Sequence, residues 1–349
     1  MISITRLFRL GIRVAAWATP RVQQWNRERN LNRSEGQRHL EARNFAEAER
    51  YLNLALEERR HPDTRRLELL LDIAQAQRGQ KKLPQAEETA CHAIELAVRS
   101  RDAAMHSLAL EALLDAQFEQ GRHVEAEKTG REIERLEEAQ PKPSSARLAI
   151  CSHKRATALT RIGLNHEAAQ ALQQGVKHAE QAFGPNHAQV GDILSQLGAL
   201  QRHAGDHTEA QRSLRRALQI HGETAGHASH EATQDLHHLA VSLEESGDLD
   251  SAAREYERML TLRERQLGGN KEDVADVQVR LAALYLRAGR SAAANELLTQ
   301  AIATLERKGG SRYRAALELM VSAEESAGRF ENAKRWRERA GLTPAANSN

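Results

Sequence analysis

The chain repeats itself. With Ala48, Ala86, Ala126, Ala168, Ala210, Ala252, Ala294 and Ala333 as anchors, the intervals are 38, 40, 42, 42, 42, 42 and 39 residues. Five residues before six of these anchors stands a glycine: Gly121, Gly163, Gly205, Gly247, Gly289 and Gly328. Seven residues after five of them stands Ala55, Ala93, Ala217, Ala301 or Ala340. Twelve before stands a small residue at Gly36, Ala74, Ala156, Gly198, Ala240 and Ala282. A second glycine series, Gly184, Gly226, Gly268 and Gly310, keeps the 42-residue register. Phased columns confine a chain to stacked copies of one supersecondary unit, each burying its apolar face against its neighbours.

The unit is a helix pair. Leu236, Leu239, Leu243, Tyr256 and Leu260 in one copy, and Leu194, Leu197, Leu214 and Leu218 in the copy before, recur at helical spacing. Aromatic residues are only 3% and prolines only seven, which leaves a sheet core short of material. The glycine five before the anchor suits a tight turn that needs a left-handed residue. Small residues on either side let two helices approach closely. The expected fold is all-α, with eight pairs and sixteen repeat helices.

A small residue, a turn glycine and two alanines in a helix pair resemble the tetratricopeptide repeat. The 42-residue form, with Leu236-His237-His238-Leu239-Ala240 in a first helix and Gly184-Pro185-Asn186-His187 in a connection, is similar to the kinesin light chain type. The resemblance covers about residues 29–341. It implies a right-handed α-solenoid whose first helices line a concave surface that binds protein or peptide. Where that family often has paired asparagines, this chain has Ser195-Gln196 and His237-His238, so the family's cargo does not carry over.

Residues 1–28 read as a basic amphipathic segment, 29–140 as repeats one to three, 141–146 as a Pro/Ser linker, 147–341 as repeats four to eight, and 342–349 as a frayed tail. The first two repeats have Arg43 and Lys81 where the others have the turn glycine. The third is the least regular, with Leu114 at the small position and Gly130 and Ile133 in its second helix. The linker is either a hinge between two blocks or simply a longer connection.

Net charge is +2, but residues 1–33 hold seven arginines against Glu28, which leaves −4 for the remaining 316 residues. The body has no basic stripe, and no nucleic-acid partner is expected. On a helical wheel Arg6, Arg9 and Arg13 share one face, and Phe8 and Trp17 lie on the apolar arc. That segment is an interfacial membrane helix, an organellar targeting segment, or a cap on the first repeat. The interrupting arginines exclude a transmembrane span.

Phosphate-binding glycine loops, H-E-x-x-H and G-x-S-x-G are all absent from the sequence. No catalytic residue, cofactor or metal site is expected. His227 and His230, within a cluster that includes His221, His237, His238 and Glu231, have a helical zinc spacing but read as solvated polar residues. Cys91 and Cys151 read as small buried hydrophobes in a reducing compartment, and the expected location is the cytoplasm, free or peripheral at a membrane surface.

The expected function is a non-enzymatic scaffold or adaptor; the alternative is a membrane-surface assembly or regulatory factor anchored by residues 1–20. A third possibility, a regulatory enzyme with a repeat-shaped sensor, has no separate catalytic segment in this sequence. In the resembled architecture, the residues fifteen, fourteen, eight and seven before each anchor face the concavity. For four successive repeats these are His153, Lys154, Thr160 and Arg161; Ser195, Gln196, Arg202 and His203; His237, His238, Glu244 and Glu245; Val279, Arg280, Leu286 and Arg287. Five permanent bases face two acids, and four histidines are expected to add charge below about pH 6.5. Such a surface suits an acidic or phosphorylated segment.

Overall fold

The computed structural model describes residues 20–57, 62–265 and 271–341. The amphipathic segment with Arg6, Phe8, Arg9, Arg13 and Trp17 lies outside the described residues, as does the tail after Gly341. Sixteen helices and no strand occur among the described residues. They are α1 Pro20–Glu41, α2 Phe45–Leu56, α3 Asp63–Gly79, α4 Leu83–Ser100, α5 Ala103–Glu119, α6 His123–Glu138, α7 Ser145–Arg161 and α8 Asn165–Phe183. After these come α9 Ala188–His203, α10 His207–Thr224, α11 His230–Glu245, α12 Leu249–Arg265, α13 Lys271–Arg287, α14 Ser291–Leu305, α15 Gly310–Ser326 and α16 Phe330–Arg339.

The chain divides into two compact units after Ala168. In the first, each helix from α1 to α7 packs on the next, and three small cores lie along the stack. In the second, α9 to α16 do the same around one continuous core from Ala210 to Ala323, which includes Leu214, Leu239, Tyr256, Met259, Leu281 and Leu298.

The columns have the physical roles their chemistry suggests. All eight anchor alanines are buried. A Cβ added to Gly36 would lie 2.7 Å from the Leu52 side chain, and one on Gly198 would lie 2.6 Å from that of Leu214. Both are closer than carbon atoms approach without displacement. The third repeat has its large residue, Leu114, at this column, and there Gly130 is the small partner position in the second helix. The Gly130 backbone is closely approached by the next helix: the Cys151 thiol lies 3.2 Å from its carbonyl oxygen. Cys151 is buried as expected, but Cys91 is exposed. It sits five residues after Ala86, about 140° round the helix from that buried anchor, and so points outward.

Every turn glycine five before an anchor has positive φ, and so do Arg43 (+55°) and Lys81 (+61°) in the two repeats without one. The turn at Arg43 is closed by Arg43 N–H donating to Leu40 O and Asn44 N–H to His39 O. An L side chain here is strained and a glycine is not. Arg43→Gly is therefore expected to stabilise the protein by about 0.5–1 kcal/mol, after allowing for the greater freedom of glycine in the unfolded chain. The shift of the urea midpoint measures it.

The Gly184-Pro185-Asn186-His187 connection has a mechanical reading too. Gly184 turns the chain at φ +91°. The His187 ring stacks on Phe183 at 4.8 Å, and its Nδ1 accepts from the Gln189 N–H to cap α9.

Candidate functional site

First helices of neighbouring repeats touch one another: α1 with α3 and α3 with α5 in the first unit, α9 with α11 and α13 with α15 in the second. The side chains between them form ladders of ion pairs, built from residues about one repeat apart.

In the first unit the ladder centres on α5. Asp115 accepts from Arg78 of α3 at 2.5 Å and also from Lys154 of α7. Glu119, one turn further on, takes Arg78 at 3.1 Å and Lys81 at 2.9 Å. Arg78, Asp115, Glu119 and Lys154 line a cavity of about 260 Å³ together with Phe118, His153 and Thr157. Lys154 is thus neutralised by Asp115, which stands at none of the four positions used in the charge count. Arg161 is exposed and forms no ion pair among the described residues.

In the second unit α11 is held from both sides. Arg202 of α9 reaches Glu245 at 2.7 Å, and Arg287 of α13 reaches Glu244 at 3.3 Å. His203 is exposed and meets the Arg202 guanidinium at 3.0 Å. Gln196 and Ser195 are half-buried. His237 and His238 are half-buried with ring centroids 5.9 Å apart, and His237 stands edge-on to Tyr256 at 6.4 Å. Val279 and Arg280 line a cavity of about 300 Å³ with Asp276, Arg312 and Ala315.

The histidines correct one expectation. Burial pushes His237 down to about 4, helped by the positive fields of Arg280, His238, Arg263 and Arg202. His238 is also lowered, first by burial and then by Arg202 and His203. Neither adds charge to this face near pH 6.5; both are neutral donors and acceptors there.

Two further features escape a reading by residue type. Nine before and three after the anchor, a polar rung joins the two helices of a repeat: Thr89 donates to Gln77 at 2.9 Å, Thr129 to Gln117 at 2.8 Å, and Ser213 to Gln201 at 2.8 Å. In the first repeat the same positions hold His39 stacked on Tyr51. The other feature is His221, which is buried rather than solvated. Its Nδ1 lies 2.7 Å from Oδ2 of the fully buried Asp235, and its Nε2 lies 3.3 Å from Asp192. Gly191 makes room for the ring, since a Cβ there would lie 2.6 Å from Nε2. His227 and His230 are exposed. Among the described residues no three His, Cys, Asp or Glu side chains are grouped so as to hold a metal ion, and no helix is long and apolar enough to cross a membrane.

The tetratricopeptide repeat family model matches residues 147–223 and 233–307. Those two stretches are tetratricopeptide repeats, and the helix pairs on either side of them have the same all-helical architecture. Similar solved structures include BtubC (BKLC) from P. vanneervenii, at 19% identity and a TM-score of 0.50, covering 76% of this chain and 96% of that one. A signal transduction ATPase with numerous domains and a tetratricopeptide repeat sensor, from Pyrococcus horikoshii, is similar at 13% identity and a TM-score of 0.62. That match covers 90% of this chain and 47% of the other. The apo quorum sensor NprR from B. thuringiensis is similar at 12% identity and a TM-score of 0.54, covering 89% and 86%. At these identities the likeness is one of fold. No curated protein matches the sequence.

Proposed function

We propose that this protein is a non-enzymatic scaffold or adaptor that holds an extended segment of another protein along the first-helix face of its repeats. The observation that carries the reading is the contact of first helix with first helix within each unit, which puts side chains at repeated positions on one face of that unit. Solenoid repeats present such faces to partners, and an extended segment meets them at regular intervals. Two of the similar structures are sensors, which supports the recognition of another molecule by this kind of array. The segment is acidic or phosphorylated, since arginine forks and half-buried imidazoles are donors matched to carboxylate and phosphate oxygens. In the second unit the face comprises Gln196, Arg202, His203, His237, His238, Arg280 and Arg287; in the first it comprises His153, Lys154 and Arg161.

The test places a photo-cross-linking residue at His203, on the proposed face, or at Arg212, a second-helix residue whose side chain is 74% exposed. Partner cross-links are expected from position 203 and not from 212, falling as salt rises. Cross-links from 212 alone would overturn the reading.

A further inference from the structure

We propose that Arg280, with His237 beside it, seats a single oxyanion, a carboxylate or phosphate carried on an extended peptide. The inference rests on the groove reading above and narrows it to one place. Among the groove cations of the second unit, Arg202 and Arg287 already hold Glu245 and Glu244. Asp276, the carboxylate lining the cavity beside Arg280, is held by Arg312 at 2.8 Å. Arg280 is exposed and forms no ion pair among the described residues. Its neighbourhood is rich in donors and short of acceptors.

The buried side gives the second observation. Tyr256 is fully buried, and its hydroxyl faces the Arg280 guanidinium without completing a well-formed hydrogen bond. A buried hydroxyl without a partner is costly, and a cation and a hydroxyl that both lack an acceptor describe a site waiting for one. His237 is in contact with the same ring and feels Arg202, Arg263, Arg280 and His238 at once, a positive field with no free carboxylate to balance it. The cavity beside Arg280 points to a peptide rather than a lone ion. Val279 and Ala315 give it an apolar wall that a neighbouring side chain of the ligand would cover. The side chain at this position is a guanidinium, which holds an oxyanion by two parallel hydrogen bonds.

The full chain is titrated with two probes, a hexaglutamate peptide and inorganic phosphate, by calorimetry and by NMR of the histidine rings. Hexaglutamate is expected to bind more tightly than phosphate and to raise the His237 pKa, because an anion cancels the field that depresses it. Arg280→Ala is expected to weaken the peptide about tenfold, the value of one charge-assisted contact, and Arg280→Lys to fall between. Arg212→Ala, on a second helix outside the proposed face, is the control for general loss of charge and is expected to leave the peptide affinity unchanged. Arg280 is exposed, so an unchanged helical spectrum is expected for each of its variants. If hexaglutamate binds but Arg280→Ala leaves its affinity and the His237 shift untouched, this seat is wrong and the groove reading survives. Phosphate binding as tightly as the peptide overturns the peptide assignment, and no binding of hexaglutamate even at low salt overturns both.

Discussion

Replacing Glu137 with alanine is expected to cost about 3–5 kcal/mol, as breaking a buried ion pair on one side does. The carboxylate is wholly buried, yet it accepts from Arg147 at 2.5 Å, Gln140 Nε2 at 3.0 Å and the Ser144 N–H at 3.2 Å. It therefore closes the proline-containing connection between α6 and α7 from inside. Arg147 in turn reaches Glu111 at 2.7 Å, so the loss would leave a largely buried guanidinium with half its partners. Repeat stacks unfold in parts, so the quantity to follow is the midpoint of the first urea transition by helix signal. A change below about 1 kcal/mol would show that solvent replaces the carboxylate freely.

The same residue sets an acid limit. Burial pushes its pKa up, but hydrogen bonds from Arg147 and the Ser144 N–H outweigh that and leave it below the ordinary 4.5. An acid depressed in the folded state contributes stability that is complete above 4.5 and lost as pH falls through the folded value. Glu137→Gln should therefore be less stable than the parent at neutral pH and lose less on acidification below 4.5.

Asp235→Ala is the second large effect, about 3 kcal/mol, while Asp192→Ala should cost under about 1 kcal/mol. Both carboxylates touch the buried His221, and their exposure separates them. Asp235 is fully buried and 2.7 Å from Nδ1; Asp192 is 44% exposed and 3.3 Å from Nε2. Removing the first strands an imidazole N–H in the interior, whereas water replaces the second. Burial also pushes the Asp235 pKa up, against the hydrogen bond from His221, so this carboxylate is held by its partner and not by solvent. Equal losses in the two variants by urea titration would refute the distinction.

The columns of small residues and glycines were legible because steric limits admit few residue types: a position at φ +85° takes glycine, and a gap under a leucine takes glycine or alanine. The polar rungs were not legible, because the same place is filled by His39 with Tyr51, Gln77 with Thr89 and Gln201 with Ser213. Pairing is what recurs there, and pairing across two columns leaves no mark in either alone. The charge count on the groove failed for another reason. Asp115 stands three residues from the nearest of the four groove positions, in a repeat outside the count, yet its reach brings it to both Lys154 and Arg78. Counting by face ignores the length of side chains. His221 shows the converse, a polar residue in a histidine-rich stretch that packing takes into the interior.

The even interval between Gly163, Gly205, Gly247 and Gly289 has a consequence at the level of the gene. Because turn, packing column and groove position all return after the same 42 residues, unequal recombination between neighbouring copies adds or removes a whole helix pair and leaves every joint chemically familiar. The array can therefore lengthen or shorten in whole steps without first passing through a misfolded form. The length of the first-helix face becomes an inherited quantity that changes by integers, while each side chain on it is free to drift one at a time.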